Sequence, residues 1–243
     1  MDKPWLIVDY VFSARFMYGA WITLWITVVS LFFGILVGLA IALLQESRSR
    51  FLNGLAIAYL WLFRGTPALL QIIFIFNVLP QFGLTLTNFE SGVVALSMNE
   101  GAYMAEIIRS GLLAVGRGQR TAARALGLRE AQMMRYVVLP QAMRIVIPPI
   151  GNQFIGMLKL SALVSVVAVE DLLLVANQAA SSNFRYLEAL SAAGIYYLIF
   201  TTLFMGIQSQ IEDWASGNRR RRKRKTTLVE RMIGATGDGG QVR

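Results

Sequence analysis

The residue types that carry most covalent and metal chemistry are missing from this sequence of 243 residues, which has no histidine and no cysteine. Serine–histidine triads, thiol nucleophiles and ordinary zinc sites are therefore excluded, and no metal or other cofactor is expected. Phosphate-loop chemistry is excluded as well, because none of the four lysines, Lys3, Lys159, Lys223 and Lys225, stands in a G-x-x-x-x-G-K-[ST] sequence. Glu106 and Asp171 are candidates for an acid or base buried in apolar surroundings, but neither has a nucleophile at helical spacing with which to form a catalytic pair. No enzyme activity follows from these residues. What remains is non-covalent chemistry, and Gly65-Thr66-Pro67 is its clearest site. Pro67 removes a backbone donor and leaves the carbonyl one turn earlier unpaired, which a lipid environment tolerates only against protein, water or ligand.

The elements that must position such a break are apolar helices. Hydrophobic residues make up 56% of the chain and charged residues only 15%, a balance that places it among membrane proteins. Phe16 to Leu44 has no ionisable residue and is long enough to cross a hydrocarbon core of about 30 Å. A second span lies within Leu52 to Leu79, interrupted by Arg64 and bracketed in its most apolar half by Pro67 and Pro80. The third, about Phe89 to Val115, carries Glu100, Glu106 and Arg109; Glu106 and Arg109 share a helical face and are expected to offset each other's burial. The fourth runs from about Ile145 to Val169 around Lys159, and the fifth from Ala189 to Gln210 is uncharged. The expected fold is all-α, a polytopic transmembrane bundle of about five spans.

Charge gives this bundle an orientation. The net charge of +9 is not spread over one face with interleaved aromatics, so nucleic-acid binding is not indicated. The cations sit between apolar blocks: Arg48 and Arg50 after the first span, Arg117 to Arg144 between the third and fourth, and an unbroken run from Arg219 to Lys225 after the fifth. The opposite connections are poor in cations, Pro80 to Glu90 having none. By the positive-inside rule the amino terminus lies outside and the carboxyl terminus in the cytoplasm. The chain divides into an extracytoplasmic segment 1–15, a membrane domain 16–212 and a basic cytoplasmic tail 213–243 that would lie in solvent or on the lipid surface.

The connection 116–140 is longer than a helix junction requires, and long connections in compact proteins tend to carry function. Thr121 to Leu126 favours a short helix, Gly127 supplies a left-handed stop, and a second short helix is expected from Arg129 to Leu139, ending before Pro140. Arg120 and Arg124, four apart, would make one face cationic, while Ala122, Ala123 and Ala125 leave a surface flat enough to enter a partner's groove.

The stretch GRGQRTAARALGLREAQMMRYVVLPQAMR resembles the cytoplasmic signature of ABC-importer permeases, in which Glu-Ala-Ala, Gly and Leu-Pro recur at fixed spacing. Gln119, Ala122, Ala123, Gly127, Leu139, Pro140 and Gln141 stand at the matching positions, and Thr121 replaces the usual Glu, which removes a carboxylate. Phe63 to Pro67, Asn99 to Gly111, Asn152 to Phe154 and Lys159 to Leu163 are similar to the polar-amino-acid branch of that family, the histidine and glutamine permeases.

The resemblance implies a non-catalytic permease subunit of the bacterial inner membrane. Its partners would be two ATP-binding cassette subunits that hydrolyse ATP, a second permease making a homodimer or heterodimer, membrane lipid, and an extracytoplasmic binding protein that delivers a polar amino acid or a derivative. It implies ATPase coupling through Gln119, Arg120, Thr121, Ala122, Ala123, Arg124, Gly127, Leu139 and Pro140. Substrate would meet the break at Gly65, Thr66 and Pro67, with Asn99, Gln153 and Ser161 adding side-chain donors and acceptors. Relatives that carry cationic amino acids tend to place acidic residues where Gln153 and Leu160 stand here, which disfavours lysine and arginine as cargo. Two other readings stay open at this point: a passive channel, and a structural half of a heterodimer that engages the ATPase without touching substrate.

Overall fold

A computed structural model describes residues 5–215, and these are helical throughout apart from short connections. The basic run Arg219 to Lys225, and nearly all of the tail expected at 213–243, lie outside the described residues.

Helix α1 (Trp5–Val11) precedes α2 (Ala14–Gln45), whose start is capped by the Ser13 side chain accepting from the Phe16 N–H. Then come α3 (Arg50–Gly65) and α4 (Ala68–Val78), followed by one 3₁₀ turn, Leu79–Phe82. Helix α5 (Asn88–Ala114) opens with a capping box in which the Thr87 hydroxyl accepts from the Glu90 N–H and the Glu90 carboxylate accepts from the Thr87 N–H. Helices α6 (Arg117–Ala125) and α7 (Glu130–Met133) form the long connection, and a π-helical turn (Met134–Val138) joins α7 to α8 (Leu139–Leu160). A 3₁₀ segment (Ser161–Val167), α9 (Leu172–Asn183) and α10 (Tyr186–Ala215) complete the described chain.

Among the described residues, three helical stretches are long and apolar enough to cross a membrane: Ala14–Gln45, Glu130–Val167 and Tyr186–Ala215. Arg50–Gly65 and Ala68–Phe82, bent by 106° at the break, make a fourth if they are taken as one span. Helix α5 fails on composition and not on length, since its 27 residues reach about 40 Å at the usual helical rise. Its polar residues are tolerable because it occupies the centre of the bundle, with Ser91, Ser97, Asn99 and Glu100 buried. Two helices were not expected from the sequence, α1 and α9; Asp171 caps the latter, accepting from the N–H groups of Leu173 and Leu174.

The main packing contact runs between α2 and α5, and small residues set its closeness. A Cβ placed on Gly38 would lie 2.4 Å from the Met104 Cβ and 2.9 Å from the Ala105 nitrogen, and one on Gly34 would lie 2.9 Å from the stem of Glu100. The Gly34/Gly38 pair thus serves close packing, as its spacing suggests. Around this axis, Ile26, Ile72, Leu96, Met157 and Val164 form one buried apolar cluster, and Phe16, Leu172, Val175 and Ala189 another. The outer faces of α2 and α10 carry Trp21, Phe32, Leu39, Leu198 and Leu203, all well exposed, as lipid-facing surfaces require.

Candidate functional site

The break after α3 is made by backbone conformation. Thr66 is extended at φ −120° and ψ 147°, and Pro67, with no N–H to give, begins α4 at φ −63°. Carbonyls in the last turn of α3 therefore lose helical partners, and the protein supplies others. The Gln71 side-chain amide donates to the Phe63 carbonyl at 3.0 Å, to the Thr66 carbonyl at 3.1 Å and to the Thr66 hydroxyl oxygen at 2.9 Å. Asn99 then donates from α5 to the Phe63 carbonyl at 3.3 Å and to the Gln71 Oε1 at 3.0 Å. Gln71 and Asn99 are both buried, so the network is shielded and each bond is correspondingly costly to lose.

The structure brings Gly65, Thr66, Pro67 and Asn99 together, but through Gln71, a residue sequence reasoning passed over. Its signal was present: Gln71 is the single polar side chain between Ala68 and Phe76. Gln153 reaches α5 one residue further on, donating to the Glu100 Oε1 at 2.9 Å. Ser161 is fully buried with its hydroxyl donating to the Leu158 carbonyl at 2.8 Å, and it takes no part in this network.

Two further features concern α8 and the end of α3. Pro149, Asn152, Gly156 and Lys159 are exposed and share one face of α8. An amide and an ammonium group on that face are poorly suited to lipid. At the end of α3, Arg64 pairs with Glu106 at 3.6 Å, and Arg109 pairs with Glu46 at 3.3 Å. Glu106 and Arg109 thus do not compensate each other as expected. Partners on α3 and at the end of α2 stand closer to each than the neighbour on its own helix.

The connection between α5 and α8 also departs from expectation in detail. Helix α6 starts at Arg117, four residues before the predicted Thr121, which places Thr121 in mid-helix with no capping role. Gly127 is left-handed at φ 77°, as predicted, and ends it. The second helix does not stop before Pro140. Pro140 is the second residue of α8 and has no N–H to give the Tyr136 carbonyl; the π turn stands just before it, with the Leu139 N–H donating to the Met134 carbonyl across the wider i→i+5 ring. The Gln141 side chain covers the Val137 carbonyl at 2.9 Å.

Nor is the alanine surface uniform. Ala123 is buried against Val115, Met133, Val138 and Ala142 of its own chain, whereas Ala122 and Ala125 are exposed. The expected cationic face is tied down internally: Arg120 donates to the Leu112 carbonyl at 2.9 Å, closing the end of α5, and Arg124 donates to the Glu130 carboxylate at 2.8 Å, clamping α6 to α7. Gln119, Thr121, Ala122 and Leu126 remain as a free surface, Leu126 being 82% exposed. Leu126 is thus a large apolar side chain left open beside the tight turn at Gly127.

A bundle of membrane-length apolar helices with an internally braced break between α3 and α4, and a pair of short helices tied together between α5 and α8, has the construction of a transporter's membrane subunit. The chain belongs to the family described as binding-protein-dependent transport system inner membrane components, which matches residues 31–216. It is 39% identical to the arginine transport system permease protein ArtQ of Bacillus subtilis (strain 168), over 82% of this chain and 92% of that one. It is 37% identical to the glutamine transport system permease protein GlnP of Escherichia coli (strain K12), over 80% of this chain and 90% of the relative. Among solved structures, an amino acid ABC transporter crystallised with histidines superposes with a TM-score of 0.82 at 40% identity, covering 87% of this chain and 98% of that one. The MetNI methionine ABC transporter, at 23% identity and a TM-score of 0.70, shares the fold.

Proposed function

We propose that this chain is the permease subunit of an ATP-driven importer that carries a polar amino acid across the bacterial inner membrane. The cargo arrives on an extracytoplasmic binding protein, and two separate ATP-binding cassette chains supply the energy to a dimer of permeases. The observation that carries the reading is the braced connection 116–140. Its Arg120 and Arg124 bonds make α6 and α7 a rigid lever on α5 and α8, and a channel would have no use for such a lever. The amino-acid cargoes of the relatives point the same way.

In this reading the amino terminus is outside, α5 is the third of five spans, and α6 and α7 dock on the ATPase with Gln119, Thr121, Ala122 and Leu126 at the contact. Arg120, Ala123, Arg124, Gly127, Leu139 and Pro140 set the shape of that surface from within. Cargo passes the Gly65-Thr66-Pro67 break and Gln153, along the α8 face bearing Asn152 and Lys159, with Asn99 holding the break in shape. Ser161, whose hydroxyl is already engaged with Leu158, supports the end of α8.

The test is reconstitution of the permease with its ATPase and binding protein in liposomes, followed by uptake of L-glutamine, L-arginine, L-histidine and L-cystine. ATP-dependent uptake of glutamine above arginine is expected. Uptake that persists without the ATPase would make the chain a channel, and uptake of none of the four would overturn the amino-acid assignment.

A further inference from the structure

A cavity of about 610 Å³ opens beside the break, between α3 and α5, and neither Gln71 nor Asn99 lines it. Its walls are Ile57, Leu60 and Trp61 on one side and Tyr103 on the other, the Gln45 amide of α2 adds a polar edge, and its charged groups are Arg64 and Glu106. Two features set that pair apart from a tight structural tie. Its nitrogen and oxygen stand 3.6 Å apart, too far for a charge-assisted hydrogen bond, and both side chains remain accessible, at 47% and 41%. Two charges that share one hollow without closing on each other keep most of their donor and acceptor capacity in reserve. The Tyr103 ring lies 5.9 Å below the Arg64 guanidinium, and Gly65, at the rim, has open space where a side chain would project.

We propose that this hollow is a binding site for the zwitterionic backbone of an amino acid, with Arg64 taking the α-carboxylate and Glu106 the α-ammonium. The guanidinium fork suits a carboxylate in two parallel hydrogen bonds. The ammonium gains Glu106 and the edge of the field over Tyr103. A zwitterion inserted between the two groups replaces one long ion pair by two short ones and leaves no net charge in the hollow. The volume accommodates an amino acid, and beyond Gln45 the walls are Ile57, Leu60, Trp61 and Tyr103, which offer its side chain no further charge to pair with. Such a site recognises what all amino acids share, so it would serve as a way station next to the break, while selection happens elsewhere.

The inference rests on the amino-acid reading above, and its test separates the two. The reconstituted permease–ATPase complex in lipid nanodiscs, without binding protein, is titrated with L-glutamine, with its α-carboxamide and with N-acetyl-L-glutamine. The parent should bind glutamine about tenfold or more tightly than either blocked form, the scale of a hydrogen bond to a charged group. In R64Q the preference over the carboxamide should vanish while that over the N-acetyl form persists, and E106Q should show the converse. A mere tie between α3 and α5 would leave both preferences unchanged, and that result overturns the proposal. If either variant fails to assemble, I57W, which fills the cavity wall and leaves both charges in place, should weaken glutamine binding; parent-like affinity there overturns it too. A parent that imports no amino acid in the liposome assay, with its ATPase and binding protein present, refutes the functional reading, whereas import there with unchanged R64Q and E106Q preferences in nanodiscs refutes only this site.

Discussion

The Asn99 side-chain amide on α5 donates to the Phe63 carbonyl on α3 at 3.3 Å, across 36 residues of sequence, and so fixes the broken end of one helix to the middle of another. The same amide holds the Gln71 Oε1, so one side chain braces both halves of the break.

Asn99→Leu is therefore expected to act on the fold as well as on transport. It leaves the Gln71 oxygen unpaired in a buried site, at a cost of about 1–3 kcal/mol. Thermal unfolding of the purified complex should show a lowered midpoint, with uptake reduced at equal protein level. An Asn99→Leu protein with the parent's stability and impaired uptake would instead make Asn99 a substrate contact.

Ala122 and Ala123 should part company. Ala123→Asp puts a carboxylate into the Val115, Met133 and Val138 cluster, where an unpaired charge is strongly unfavourable, and the connection should become protease-sensitive. Ala122→Asp changes only the exposed face, so proteolysis should match the parent while the ATPase no longer co-purifies. Equal ATPase retention by Ala122→Asp and the parent would move the docking surface elsewhere.

Gly38→Ala should loosen the α2–α5 contact, because the new methyl group would stand 2.4 Å from the Met104 Cβ and 2.9 Å from the Ala105 nitrogen. Backbone on one side prevents easy relief, so about 1–3 kcal/mol of destabilisation is expected. Gly54→Ala, where nothing lies within 4 Å, is the control and should stabilise α3 by up to about 1 kcal/mol. Denaturation of both variants in the same detergent checks the contrast.

The spans were legible because long apolar runs report themselves: Phe16 to Leu44 emerges as Ala14–Gln45, and Ala189 to Gln210 as Tyr186–Ala215. The break at Gly65-Thr66-Pro67 was equally plain, since proline acts through its own backbone. What could not be read was pairing between elements. Arg64 with Glu106, Gln153 with Glu100 and Gln71 with Asn99 join residues 28 to 53 apart, and sequence spacing reports only neighbours on one helix. The inward turn of Ala123 was missed for a related reason: α6 begins at Arg117, and its rotation is set by the Arg120 bond to Leu112, a tertiary contact. Capping by Asp171 hid α9 in what looked like a loop between spans.

Pro140→Ala tests whether the π turn is a working part of the connection. Alanine restores the N–H that proline lacks, so Tyr136 could be paired in ordinary α-helical register and the five-residue turn Met134–Val138 would lose its reason to exist. Narrowing the turn removes one residue from the ring and rotates α7 by about 100° relative to α8, the angle per residue of an α-helix. Met133 would then leave its buried place against Ala123, and the Glu130 carboxylate would swing away from Arg124. The continuous helical stretch Glu130–Val167 should become more stable, since Pro140 stands well past its first turn. Transport should fall. The expected outcome is an assembled transporter whose ATP hydrolysis continues while amino-acid uptake per ATP drops severalfold, measured side by side in liposomes. Unchanged uptake per ATP would mean that the π turn persists without its proline or that the lever works without it, and hydrogen exchange of the Tyr136 to Gln141 amides distinguishes the two.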